Sequence, residues 1–148
     1  MKSILNSYSP KLTPSHGLIM ETKQHLAAAL GRVDGFRFDQ MSVEDMELKI
    51  SISEDLLKVL DVLEPGLSKS RGITLLDMAE CKIRLIFTKY KSSAIEMYDE
   101  LVKVEKELRE AHDILQLEDE NAIEGNVAKK ARVDLSQLHQ HLINLKKK

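Results

Sequence analysis

Any chemistry in this chain would have to come from five histidines, a single cysteine and the charged residues around them. His139 and His141 stand two positions apart, which on a helix turns them about 200° away from each other and keeps them from gripping one metal ion. His16, His25 and His112 show no carboxylate or thiol partner at ligand spacing. Cys81 lies in the run AECKIRL with Lys82 and Arg84 nearby, cations of the kind that lower a thiol pKa. Nothing supplies a general base, so a buried structural cysteine is the expected role. Lys129, Lys130 and Arg132 form a short basic cluster that imitates a nuclear-import signal and, inside a periodic helix, reads as a face of solvated cations. There is no G-x-S-x-G, no phosphate-cradling glycine loop and no H-E-x-x-H. The expectation is a chain with no catalytic, cofactor-binding or metal-binding residues.

The elements that carry these residues read as helices. Residues 1–13 lack periodicity and are expected to form a flexible lead-in, followed by a helical domain over 14–146 and a basic tail at 147–148. Thr13 and Pro14 have the chemistry of a helix start, Ile19, Leu26 and Leu30 share a face, and Gly31 supplies a stop, which predicts a helix over 14–30. Phe36 and Phe38, in the loop GRVDGFRFDQM, are expected to pin that loop onto the helices. Ser42 with Asp45 is a capping box opening a helix whose stripe is Met46, Ile50, Leu56, Leu57, Leu60 and Leu63, and Glu64-Pro65-Gly66 ends it.

Helical spacing resumes over 67–91, with Leu75, Leu76, Ala79, Ile83, Ile86 and Phe87 on one stripe. Gly72, early in that helix, implies either a frayed start or another backbone close by. A fourth helix over 93–117 carries Ala94, Tyr98, Leu101, Leu108 and Leu115, and its mixed charges read as a solvated face with a Glu105 to Arg109 pair. After the turn-like EDENAIEGN, a fifth helix bears Val127, Ala131, Leu135, Leu138, Leu142 and Leu145 near heptad spacing. Short links between long helices predict antiparallel hairpins.

Composition agrees. In 148 residues, apolar types make up 43% and charged types 31%, with six aromatic residues, no Trp, six Gly and three Pro, which favours an all-α fold over a sandwich or barrel. Lys and Arg number 22 against 24 Asp and Glu, so no strong positive field exists to hold nucleic acid. One cysteine makes neither an internal disulfide nor a cysteine zinc cage, and with no signal-like segment and no membrane-length apolar run the expected location is cytoplasmic, nuclear or both.

The run LLKVLDVLEPGLSKSRGITLLDM, 56–78, resembles the carboxy-terminal helical domain of the SET and MYND family of protein-lysine methyltransferases, particularly its arthropod branch. There a V-L-E/D-P-G-L-S-x-x-R-G turn leads into an L-L-x-E-L helix, and Leu63, Glu64, Pro65, Gly66, Leu67, Ser68, Arg71 and Gly72 match it. Ser70 and Asp77 depart from it, where the family has Leu or Phe and Glu. The likeness continues upstream, with Ala29 and Phe36 in place of tyrosines, and downstream over EAHDILQLEDENAIEGNVAKKARVDLSQL, covering about residues 14–145.

By this resemblance the fold is a tetratricopeptide-like stack of about five helices. The family's cysteine-rich MYND module, its SET module and its S-adenosylmethionine and zinc sites have no counterpart in a chain with one cysteine. The resemblance therefore implies a non-catalytic protein-interaction domain, with Lys82, Arg84, Lys89 and Lys91 as candidate rim of a peptide groove and a chaperone tail or a SET module as partner. The alternative is a fragment of a full methyltransferase in which this domain shapes the substrate cleft. A weaker one is a self-associating bundle.

Overall fold

A computed structural model describes residues 16–34, 36–91, 93–117 and 123–146. They form five helices: α1 (Gly17–Ala29), α2 (Val43–Leu63), α3 (Lys69–Lys89), α4 (Ala94–Leu115) and α5 (Ile123–Lys146). No strand occurs among the described residues beyond one bridge between Gly31 and Arg37.

Three of the starts share one chemistry. Ser42, Ser68 and Ser93 each stand in extended conformation ahead of the first turn, and their hydroxyls accept the free N–H of Asp45, Arg71 and Glu96. The expected start of α1 at Thr13 and Pro14 lies outside the described residues. The helix runs from Gly17 with His16 as its cap, the imidazole Nδ1 accepting from Leu18 N–H at 3.3 Å. At the other end Gly31 takes φ +93°, where the tip of the Phe38 ring packs so close that a Cβ would meet it at 2.7 Å. Phe38 is thus the plug of the loop, whereas the Phe36 side chain is 43% exposed. α2 stops as expected at Glu64-Pro65, with Gly66 at φ +94° making the reversal. α5 starts earlier than expected, taking in the Ile-Glu-Gly-Asn stretch read as turn.

Each helix packs on the next in the chain. The hairpins are antiparallel, because Glu54 of α2 pairs with Lys82 while Glu47, two turns earlier, pairs with Lys89, two turns later. Alternate helices therefore run parallel, and α3 meets α5 through Glu80 with Lys130 and Phe87 with His141. The larger core joins α3, α4 and α5 around Leu75, Ala79, Leu101, Leu108, Ala131 and Leu138, and a smaller one joins α1, α2 and Cys81. Gly72 sits where α3 crosses α4. The close neighbours are the side chains of Ile114 and Leu115, 2.9 and 3.0 Å from where a Cβ would stand, rather than another backbone.

Two stripe positions and the reading of the α4 charges are corrected. Leu63 is 73% exposed, so the buried face of α2 ends at Leu60. On α4, Ala94 is exposed and Met97 is buried in its stead. The charges of α4 are more than a solvated face, since Glu107 accepts from Lys82 at 2.8 Å and Glu110 pairs with Arg71, both on α3. Glu105 and Arg109 pair along the helix at 3.1 Å as expected.

The least expected feature is Lys49, whose side chain is wholly buried between the cores of α1 and α2. Its ammonium donates to the carbonyls of Ala27 at 3.0 Å and Leu30 at 2.7 Å, stands 3.5 Å from Asp77 and lies over the Phe38 ring. It serves the free carbonyl end of α1, a task usually left to local C-caps.

Candidate functional site

The α2–α3 turn holds the matched residues in one hydrogen-bonded unit. Glu64 caps α2 through its N–H and accepts from the Ser68 hydroxyl at 2.7 Å, Ser68 caps α3, and Arg71 reaches back to Asp61 at 2.8 Å and across to Glu110. Hydrogen bonding to those carboxylates pushes the Arg71 pKa up. Every polar member is used in holding the turn. Leu67 at 68% and Val62 at 78% exposure join Leu63 to leave three apolar side chains facing outward there.

Lys82, Arg84, Lys89 and Lys91 do not form one rim. Lys82 and Lys89 share a shallow cleft among α2, α3 and α4, but both are paired, Lys82 with Glu107 and Glu54 and Lys89 with Glu47. Hydrogen bonding to Glu47 raises the Lys89 pKa, which keeps that charge engaged. Arg84 projects from another side of α3 into a separate groove, and Lys91 is exposed in the turn after α3. Positions seven apart share a helix face and positions two apart do not, which is the physical reason for the split.

That separate groove is a concavity of about 490 Å³ between α3 and α5. α3 contributes Glu80, Ile83, Arg84 and Phe87, α5 contributes Lys130, Asp134, Gln137, Leu138 and His141, and Phe38 closes one side. The spacing i, i+3, i+4, i+7 on α3 and i, i+4, i+7, i+8, i+11 on α5 puts each set on one face. Lys130 reaches across to Glu80 and stands 3.4 Å from Asp134. It is therefore part of the groove wall, although its side chain stays exposed like the rest of the basic cluster.

Arg84 has no side-chain hydrogen bond or ion pair among the described residues. His141 meets the Phe87 ring edge to face at 5.0 Å, and its buried Nε2 has no hydrogen-bond partner. An aromatic and aliphatic floor with a free guanidinium and an unused imidazole nitrogen suits the binding of a partner better than bond-making. Of the groove residues Arg84 alone belongs to the expected peptide rim; Ile83, Phe87 and Leu138 carry a core signal, Phe38 a loop-plug signal and Lys130 a basic-cluster signal, His141 is singled out only as half of a histidine pair, and Glu80, Asp134 and Gln137 carry no signal beyond the mixed polar and apolar stripes.

The remaining candidates stay apart. His139 faces Glu105 of α4 at 3.1 Å, and His25 has a carboxylate after all, Glu21, at 3.8 Å one turn before it. No group of three or more potential metal ligands exists among the described residues. Cys81 is fully buried and gives its S–H to the Met46 carbonyl at 3.5 Å. Burial pushes its pKa up to about 11 against the smaller opposing effect of Lys49, so it is a thiol at neutral pH.

The class that these features define is an all-α array of antiparallel helical hairpins. No protein-family model, curated protein or solved structure matches the chain. No helix among the described residues is long and apolar enough to cross a membrane.

Proposed function

We propose that this chain is a helical protein-interaction module that acts without chemistry of its own and takes a peptide segment of a partner protein in the α3–α5 groove. The observation that carries the reading is the groove itself, with the Phe87, Ile83 and Leu138 floor open beside Arg84 and the His141 Nε2, neither of which has a polar partner within the described residues. Grooves between parallel helices of helical arrays suit extended peptides, since apolar pockets give affinity and wall side chains give orientation. The resemblance to the carboxy-terminal domain of SET and MYND methyltransferases points the same way, toward a chaperone tail or a SET module as partner in the cytoplasm or nucleus. The test is selection of a displayed random-peptide library on the intact chain, repeated with Gln137→Trp to fill the groove. Peptides enriched on the first and lost on the second support the reading, and no enrichment refutes it.

A second reading has its own observation. Val62, Leu63 and Leu67 are exposed together at the turn that carries the resemblance, as an inter-module contact surface requires. On this reading the chain is the cleft-shaping part of a longer methyltransferase. In-frame MYND cysteines and a SET stretch in the transcript upstream of Met1 support it, and a stop codon there removes it. Specific binding of labelled S-adenosylmethionine to this chain would overturn both readings.

A further inference from the structure

Lys130 is one ammonium shared between two carboxylates, Glu80 and Asp134, so this end of the groove keeps one unit of negative charge. Both acids are largely screened from water, at 18% and 25% side-chain exposure, and the buried Oδ2 of Asp134 accepts no hydrogen bond. One turn further along α3, Arg84 brings a positive charge with no counter-ion among the described residues. The groove is neutral in sum and dipolar along its length, with Ile83 of the apolar floor between Glu80 and Arg84 and Phe87 one turn beyond.

Resting on the peptide-binding reading, we propose that the α3–α5 groove selects a dipolar peptide segment: one basic and one acidic residue flanking a large aliphatic or aromatic residue. The basic group takes its place beside Asp134 and Glu80, where Lys130 already shows that an ammonium fits. The acidic group meets Arg84, and the apolar side chain rests on Phe87 and Ile83. Spacing follows from the helix. Four residues from Glu80 to Arg84 rise about 6 Å, which a chain in the polyproline II conformation covers in about two residues at 3.1 Å each, its side chains set a third of a turn apart so that three successive ones reach the two walls and the floor. Wrong charge patterns are disfavoured at both ends, because like charges meet in a half-buried site.

The experiment is fluorescence anisotropy with the full chain and labelled nonapeptides centred on Lys-Leu-Glu, its reverse Glu-Leu-Lys, Lys-Leu-Lys, Glu-Leu-Glu and Lys-Ser-Glu. The better of the first two is expected to bind at least tenfold more tightly than each of the others. Arg84→Glu, at an exposed position that leaves the helical circular dichroism unchanged, should abolish that preference and make Lys-Leu-Lys the best ligand. Glu-Leu-Glu binding as tightly as the dipolar peptides overturns this inference while leaving a peptide groove in place. No binding of any of the five up to about 1 mM, with a library-selected peptide binding normally, does the same. If the selected peptides fail as well, the interaction reading falls with it.

Discussion

Replacing Lys49 by methionine should destabilise the fold by about 2 kcal/mol, through the carbonyl end of α1. The Gly31 N–H, which would close the next turn of α1 on the Ala27 carbonyl, is turned away to Phe36 at 2.6 Å. Ala27 and Leu30 carbonyls therefore depend on the Lys49 ammonium, at 3.0 and 2.7 Å. Each buried acceptor stripped of its donor costs about 1–3 kcal/mol. Part of that is recovered, because burial holds the Lys49 pKa below the usual lysine range and the charge itself opposes folding. Methionine nearly conserves the volume, and Asp77 is not orphaned, since Arg32 still donates to it at 2.9 and 3.1 Å. Two lost acceptors less the relief of one buried charge leave the net figure.

The same site fixes a pH dependence. Below the native pKa of Lys49 both folded and unfolded chains carry the proton, and there is no slope. Between the lowered native value and the ordinary 10.5, the unfolded chain binds more protons, so stability rises with pH. The gap between native protein and Lys49→Met should then widen on the alkaline side, other groups being common to both. Urea unfolding followed by far-ultraviolet circular dichroism at several pH values measures it. A variant as stable as the native chain, or a gap that narrows with rising pH, would refute the capping argument.

Gly72→Ala sets an overpacking cost of about 1–3 kcal/mol against a helix-propensity gain of about 1 kcal/mol. The atoms in the way are the Ile114 Cγ2 methyl and Cβ and the Leu115 Cγ, all held close to the α4 backbone rather than at the far end of a flexible side chain, so melting should come at a lower temperature, and a raised midpoint contradicts the packing. Ser68→Ala removes both the cap on Arg71 N–H and the bond to Glu64, for a loss of about 1 kcal/mol in urea unfolding, while no loss would place the order of that turn elsewhere. Cys81, buried and held as a thiol, should react with a disulfide reagent at neutral pH at least a hundredfold more slowly in native buffer than in denaturant, and an immediate native reaction contradicts its burial.

The helices were legible because their signals are local. A serine ahead of an apolar run, an aspartate three positions on or a Pro-Gly pair acts within one turn, so Ser42 with Asp45 and Glu64-Pro65-Gly66 do in the structure what their types announce. The misreadings come from forces that are not local. Leu63 continues the period of α2 but overhangs the end of the hairpin, where no neighbouring helix reaches it. Ala94 fits its spacing yet stands in the first turn of α4, ahead of Met97, the first residue there to be buried. Lys49 reads as an ordinary surface lysine until the chain reverses at Gly31 and leaves two carbonyls pointing at it.

The groove lay beyond sequence for a related reason. Glu80 and Lys130 are fifty positions apart, and nothing in either helix marks the other as its partner. A basic residue counts toward a binding surface only if its charge is still available, and availability is decided by the neighbouring helix. Lys82 and Lys89 are consumed by Glu107, Glu54 and Glu47, and Arg84 is spared because its face of α3 looks toward α5. Four cations between 82 and 91 thus suggested one rim of a peptide groove, whereas among the described residues the pairing leaves the Arg84 guanidinium free in the groove, one turn from a pair of carboxylates that share a single ammonium. Ligand preference in such an array belongs to the residual charge after the helices have paired, and substituting Glu107 should leave binding in the groove unchanged, because Lys82 lies on the far side of α3 and keeps Glu54 as its partner.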